Sequence, residues 1–357
     1  MIRDGVAATV ITGNSADLIQ DALKSVSGKV ATCFLIDTGV SDETIELANQ
    51  SFAGPVHVIK NYWNNDFARL RNLALHLGNE SNFEWLMTLD TDERFDWRDD
   101  ANSLNKMLAS QDDVNAWMLR DRSGSYAKER FFRLPCSLSW TGKTHEYIQG
   151  YLNGTERKQL PFGCFWEVPK NAEQKKRKLE RDERILRNET AIHLSNSRWW
   201  FYLGQTQEDL DKIQNAIESY SRAAILEDWK EQNAWIRYCI VRCQARLGHM
   251  NSALKSCLSA IIDHPSNTDL LWIAAWCFCK CGSWIDAIGF AKRCIEIGYK
   301  SGKSHNSDEY AFCNPATKYE APFEILMRCY DAINARELFS IAERGYHEAL
   351  RARESVI

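Results

Sequence analysis

Between Val6 and Asp92 the hydrophobic period switches repeatedly, and that alternation leaves few folds open. Residues 6–12 are a short, β-branched run broken by Gly13-Asn14-Ser15, after which Leu18, Ala22, Leu23 and Val26 recur at helical spacing. A second apolar run, Cys33-Phe34-Leu35-Ile36, ends at Asp37, with Ser41 or Asp42 placed to cap a helix over residues 43–50. Residues 56–59 read as a third strand and residues 67–77 as the next helix. A fourth run, residues 83–89, ends in Asp90-Thr91-Asp92. Strand and helix alternating at this spacing predict a mostly parallel sheet covered by helices. Ligands on such sheets bind beyond the carboxyl ends of the strands, so Asp37 and Asp90 are expected to line one crevice.

Two carboxylates one residue apart, just past a buried strand, can hold a divalent cation through oxygen ligands. A cation with few protein ligands completes its shell with water and substrate phosphate oxygens. The pattern therefore suggests a diphosphate leaving group, and a sugar nucleotide is the commonest such substrate. Paired acids also serve as helix caps and turn formers, so the motif is weak by itself. No G-x-G-x-x-G follows the first strand and no Walker lysine loop occurs, which argues against a glycine cradle for the phosphate.

From Trp199 onward the pattern becomes helix pairs with an internal repeat. Trp200, Leu203, Gly204, Ala216, Tyr220 and Ala223 fit the tetratricopeptide scheme of large residue, Leu-Gly, Ala, aromatic, Ala. A second copy runs through Ile240, Gly248, Ala253, Cys257, Ala260 and Pro265. A third has Leu271, Phe278, Gly282, Ala287 and Ala291. Ala253 to Ala287 is the tetratricopeptide step of 34, whereas Ala216 to Ala253 is 37, implying three extra residues near 227–231. A looser pair over 322–351 closes the array, after a Ser- and Asn-rich loop at 301–315. Such pairs bury their apolar faces only by stacking on neighbours. Trp235, Trp272, Trp276 and Trp284 are expected mostly as core fillers. Residues 171–187 read as a charged, solvated connecting helix with Leu179, Ile185 and Leu186 on one side. The expected organisation is thus an α/β domain over residues 1–168, a connector over 169–195 and an all-α repeat domain over 196–357.

The length of 357 residues suits about two domains, and 45% hydrophobic residues suffice for their cores. A net charge of only −4 gives no electrostatic case for general nucleic-acid binding. The 12 cysteines fall mostly within helical patterns and form no C-x-x-C pair. On a helix, Cys277, Cys279 and Cys281 do not share a face, so buried thiols are expected rather than a metal cluster. No signal peptide is evident and no apolar stretch reaches the roughly 20 residues of a membrane span. A cytoplasmic, reducing setting fits these features.

Five segments together resemble the family 2 glycosyltransferases of the GT-A fold, in the subgroup with C-terminal tetratricopeptide-like helices. They are Ile11-Thr12-Gly13-Asn14; Ile36-Asp37-Thr38-Gly39 with Asp42 and Thr44; Asn65-Asp66-Phe67 with Arg71-Asn72; Leu89-Asp90-Thr91-Asp92-Glu93; and Trp140-Thr141-Gly142 followed by His145-Glu146. The layout is also similar to that of peptide S-glycosyltransferases of the sublancin type. Three departures stand out: Val40 where the subgroup usually has Ser, Leu70 where Ala precedes the Arg-Asn pair, and Phe165-Trp166-Glu167 in place of a His-Gly-aromatic stretch. The last of these lies on the acceptor side, so no acceptor class is carried over. Peptide, glycan, lipid carrier and modified base all stay open.

The resemblance implies an inverting transfer from a UDP-sugar or another nucleotide-sugar, dependent on Mn²⁺ or Mg²⁺. In that scheme Asp37 reads the nucleobase, and Thr12 and Asn14 contact the nucleotide. Asp66 and Arg71 sit beside it, the guanidinium forking onto phosphate oxygens, with Arg69 as a substitute. Asp92 is the metal ligand, Asp90 holds the ribose or a water in the cation's outer shell, and His145 is a third ligand or orients the acceptor. Glu146 is the general base and Asp121 its rival. Each residue also has a plainer reading: Asp37 as a turn acid, Asp66 and Arg71 as an ion pair, Asp90 and Asp92 as turn formers. The helical array would bind the acceptor, a partner or a second copy of the chain. Two rival classes are a tetratricopeptide scaffold with an inactive transferase-like domain, and a nucleotidyltransferase. The latter would want a richer phosphate loop than Gly13-Asn14-Ser15.

Overall fold

A computed structural model describes residues 5–97, 104, 106–108, 113–123, 126–151, 156–299 and 312–355. Two compact units meet in sequence between Asn171 and Ala172.

The first unit contains strands β1 (Val6–Thr12), β2 (Thr32–Asp37), β3 (Val56–Lys60), β4 (Trp85–Asp90), β5 (Glu93–Asp96), β6 (Ala116–Arg120), β7 (Ala127–Arg133), β8 (Ser139–Thr141), β9 (Tyr147–Gln149), β10 (Arg157–Gln159) and β11 (Cys164–Glu167). Helices α1 (Ile19–Val26), α2 (Thr44–Ser51) and α3 (Phe67–Glu80) fall between the first four strands. The main sheet has seven strands in the order β10-β6-β7-β4-β1-β2-β3. Strands β3, β2, β1 and β4 are mutually parallel. Strand β7 is antiparallel to both β4 and β6, so β6 again points the same way as β4. The carboxyl ends of β1, β2, β4 and β6 therefore share one edge.

Covering on both faces explains the near-continuous burial of β1. Val6, Ala8 and Val10 pack with Ile19, Leu23 and Ala48 from α1 and α2, while Ala7 turns to Leu75 and Leu86 on the α3 side. Helix α3 runs past the expected stop at residue 77. Gly78 lies in that extension, where a Cβ would sit 3.1 Å from the Leu86 and Leu134 side chains, so glycine eases the close approach of helix and sheet.

The second unit is all helix among its described residues: α4 (Ala172–Ile192), α5 (Ser197–Asp209), α6 (Ile213–Leu226), α7 (Lys230–Arg246), α8 (Met250–Asp263), α9 (Thr268–Lys280), α10 (Trp284–Ile297), α11 (Pro315–Lys318), α12 (Ala321–Ala332) and α13 (Arg336–Glu354). Sequential helices pair, α5 with α6, α7 with α8, α9 with α10 and α12 with α13. Every pair turns through one left-handed residue: Asp211, Gly248, Gly282 and Asn334, at φ 60°, 76°, 75° and 56°. Glycine, Asn and Asp are the types that tolerate this conformation, so the backbone repeats even where the glycine does not. The three extra residues expected near 227–231 appear instead as a longer helix. Helix α7 has 17 residues against 13 in α5 and α9.

Gly204 lets α5 and α6 close up, since a Cβ there would sit 2.6 Å from Tyr220 Cδ1. The four repeat tryptophans are partly buried against the array's cores. None of the described cysteines forms a disulfide, and Cys277 is buried within its helix while Cys281, at the helix C-cap, is exposed. The helix read as a solvated connector is α4, which packs on α5 in the second unit. Leu179, Ile185 and Leu186 are buried along it, and so are Asp182 and Glu183. Lys178 and Arg181 neutralise the first of these acids, Arg187 and Lys212 the second. Those two acids are thus paired rather than solvated, while Glu173, Lys176, Arg177 and Glu180 stay exposed as expected. No described helix is long and apolar enough to cross a membrane.

Candidate functional site

Residue Thr12 of β1 is in register with Asp37, and Ile11 with Asp90. The two acids consequently flank the tip of β1, one strand away on either side, with backbones roughly 10 Å apart at ordinary strand spacing. Asp37 is buried, and its Oδ1 accepts the N–H groups of Gly39 at 2.9 Å and Val40 at 2.7 Å. Val40 contributes only backbone there, so the missing serine hydroxyl removes nothing from this turn. The Thr12 carbonyl accepts both the N–H and the hydroxyl of Thr38 at 2.9 Å. Asn14 bonds Ser41 through its amide, donating to the hydroxyl at 3.0 Å and accepting the N–H at 2.8 Å. The loops after β1 and β2 are thereby tied into one rim.

Asn65, at φ 61°, turns the chain into α3, and Asp66 caps that helix by accepting the Arg69 N–H at 2.9 Å. Asp66 and Arg71 are not partners. Arg71 donates from Nε to Glu146 at 2.6 Å and from Nη2 to Asp90 at 3.1 Å, which uses the edge of the guanidinium expected to fork onto phosphate. Arg69 faces away, bonding Asn61 and Asn64 and stacking over Tyr62. Leu70, the other departure on this helix, is fully buried with Ile36 and Ala74.

Beside Arg71, Asn72 makes a reciprocal pair with the backbone of Trp140, donating at 2.9 Å and accepting at 2.8 Å. The Phe67 N–H bonds Lys143 O at 2.9 Å. These contacts fasten residues 140–146 onto α3. Gly142 at φ 100° and His145 at φ 49° then swing Glu146 round to Arg71.

The charged groups continue across the edge in alternating sign: Glu146, Arg71, Asp90, Arg130, Glu93, Lys128, Glu167. Glu93 is wholly buried and ion-paired with Arg130, itself only 2% exposed, and with Lys128 at 3.1 Å. Burial raises the Asp90 carboxyl, but the Arg71, Arg130 and Lys128 charges outweigh it and hold the group below the usual range. Burial likewise opposes the charge on Arg71, and Asp90 and Glu146 more than restore it. Glu93 is pushed upward by burial, against the pull of Arg130. Lys128 and Arg130 were not singled out by motif reading, and Glu93 and Asn72 entered only as members of matched segments, with no role given. A signal existed: Lys128 and Arg130 are two apart on a strand and so point the same way, next to a Glu that directly follows the acidic pair.

Asp92 lies in the turn between β4 and β5, where its carbonyl accepts the Val168 N–H at 2.7 Å and its carboxylate is ion-paired with Lys170. Asp121 directly follows β6 and accepts the N–H and hydroxyl of Ser123. It thus emerges at the same edge as Asp90. Among the described residues no three His, Cys, Asp or Glu side chains are grouped to hold a metal. Asp90 is committed to two guanidinium groups. Asp92 fits a hard divalent cation, as an oxygen donor with 22% of its side chain exposed and a lysine as its counter-charge.

A mostly parallel sheet with an acid-lined carboxyl edge, followed by tetratricopeptide-like helix pairs, defines the class of the chain. Residues 8–164 match the model described as glycosyl transferase family 2. The chain is 23% identical over 262 residues to the SPbeta prophage-derived glycosyltransferase SunS of Bacillus subtilis (strain 168), covering 69% of this chain and 60% of that protein. Glycosyltransferase SunS of Bacillus phage SPbeta aligns with the same values. The chain therefore spans less than two thirds of the length of the curated relatives it matches. Among solved structures, a crystal structure of MamA is 17% identical with a TM-score of 0.37, covering 53% of this chain and 98% of that one. A Pseudomonas aeruginosa pilF structure is 10% identical with a TM-score of 0.35, covering 52% and 80%. At those scores the helix pairing rests on the chain's own contacts.

Proposed function

We propose that the protein is a metal-dependent, inverting glycosyltransferase that moves a sugar from a nucleotide-sugar, a UDP-sugar first among them, to an acceptor of open class. The observation that carries this reading is the convergence of Asp37, Asp90 and Asp121 at one sheet edge, beside the Asp92 turn and the Arg71–Glu146 pair.

In this reading Asp37 accepts from the nucleobase, with Thr12 and Asn14 shaping the rim around it. Asp90, kept ionised by Arg71 and Arg130, accepts from the ribose. Asp92 would hold the divalent cation, Mn²⁺ or Mg²⁺, which supplies neutralising charge for the diphosphate as the anomeric C–O bond breaks. The acceptor attacks the anomeric carbon from the opposite side, giving inversion, and a carboxylate takes its proton. Glu146 is our choice of base: Arg71 holds Oε1 and so orients Oε2. Asp121 is the second candidate. His145 sits next to Glu146 and would orient the acceptor. The helical array would receive the acceptor, a partner or a second copy. Thiols that form no disulfide suit a reducing, cytoplasmic setting.

Calorimetric titration with UDP tests the core of this proposal. Binding is expected in Mn²⁺ and lost in EDTA, and Asp92→Ala should weaken it by about a hundredfold or more. Tight metal-independent binding of UDP to the wild type would refute the metal dependence. Turnover of a panel of sugar nucleotides separates an active enzyme from a scaffold with an inactive domain.

A further inference from the structure

Of the cations at this edge, Arg71 and Arg130 are 11% and 2% exposed, and each touches two carboxylates. Releasing either to a substrate phosphate would strand a buried charge. Lys128 is one-third exposed but is held by the fully buried Glu93 as well as by Glu167. Lys170 differs. It pairs with Asp92, with 33% and 22% of the two side chains exposed, so water screens the contact and little holds it. Its backbone is well placed all the same: the Val168 N–H on Asp92 O anchors the end of β11 two residues earlier. The Glu167 carboxylate also lies within reach of its field. A compact ammonium on a flexible four-carbon stem can change partners where a planar guanidinium in a fork cannot.

The geometry points to Lys170 as a mobile counter-charge: it neutralises Asp92 until a divalent cation takes that carboxylate, and its freed ammonium then pairs with the diphosphate of the donor. This rests on the reading of Asp92 as the metal ligand. Two effects follow from one side chain. Lys170 competes with the cation for Asp92, which weakens metal binding in the absence of nucleotide. Once displaced, it adds a positive charge for the phosphates, which strengthens nucleotide binding in the presence of metal.

The test is Mn²⁺ binding, read from the paramagnetic resonance of the free ion, and UDP binding in saturating Mn²⁺, read by calorimetry. Lys170→Met should bind Mn²⁺ about threefold to fivefold more tightly than wild type without nucleotide, and UDP about fivefold to tenfold more weakly with Mn²⁺ present. Lys170→Arg, which keeps the charge, should stay near the wild type for Mn²⁺. If Asp92→Ala abolishes Mn²⁺ binding while Lys170→Met leaves both affinities unchanged, the exchange is overturned and the metal reading stands. Should Mn²⁺ affinity be indifferent to Asp92→Ala, the metal reading itself is lost and the exchange with it. Circular dichroism of each variant confirms folding, which substitution of a one-third exposed lysine should not disturb.

Discussion

Asp90 and Asp269 are both acids set into the framework of their units, one at the sheet edge and the other in the first turn of α9. Asp90 has Arg71 at 3.1 Å and Arg130 at 3.5 Å. Among the described residues, Asp269, 1% exposed, accepts only the Asn314 N–H at 3.0 Å and the Thr317 hydroxyl at 2.9 Å, and its Oδ2 is buried without a partner. Burial raises both carboxyls. At Asp90 the guanidinium charges win and the group falls below the usual range. At Asp269 burial wins, and the group is pushed up to about 6. The difference separates an acid held as an anion by two guanidinium groups from a hydrogen-bond acceptor set in packing: Asp90 stays charged at the carboxyl edge of the sheet, while Asp269 pins the segment before α12 onto α9.

Arg71→Met is the most severe way to break this comparison. It leaves Asp90 and Glu146 without their shared cation, and about 3–5 kcal/mol of stability should go with it, as for other broken, largely buried pairs. Urea denaturation at neutral pH measures this, and a loss under about 1 kcal/mol would show the pair to be solvated. The same variant sharpens the pH contrast. A depressed carboxyl contributes stability that is full above its unfolded value, near 3.9, and fades as the pH falls further. Wild type should therefore lose the Asp90 contribution on acidification, and Arg71→Met should have less to lose.

A smaller effect is expected from Gly204→Ala, which presses a Cβ to 2.6 Å from Tyr220 Cδ1 within the first helix pair. Overpacking of this kind costs about 1–3 kcal/mol. UDP binding should be unchanged, since the substitution touches only the array. Finally, Asp269→Asn should stabilise by roughly 1–2 kcal/mol at pH 7.5 and by little at pH 4. The sign follows from its raised folded value: the stability it contributes is intact below about 3.9 and is lost as pH rises through about 6. Thermal melts across that range would show the opposite slope to Asp90, or else remove the contrast.

Much of this architecture was legible beforehand. The strand and helix periods located β1 to β4 to within about two residues, because buried strands and amphipathic helices leave short-range patterns. The 34-residue step located the helix pairs for the same reason, and missed only that the longer step lengthens α7. Within the site, Asp37, Asp90 and Asp92 were legible because each follows an apolar strand. The partners of these acids were not. Arg71 binds Glu146, 75 positions away, and Lys170 reaches Asp92 across 78. No local pattern encodes such pairings.

By itself, then, the amino-acid order determined which segments become strands, which become stacked helices, and which acids reach the carboxyl edge of the sheet. Those outcomes depend on periodicity and on chain direction, both local properties. Tertiary structure alone decided which charge neutralises which: that Asp66 caps a helix, that Arg71 bridges Asp90 and Glu146, and that Glu93 is buried against Arg130. Electrostatic pairing depends on distances of a few ångströms between residues far apart in sequence, and only the folded sheet brings those side chains into range.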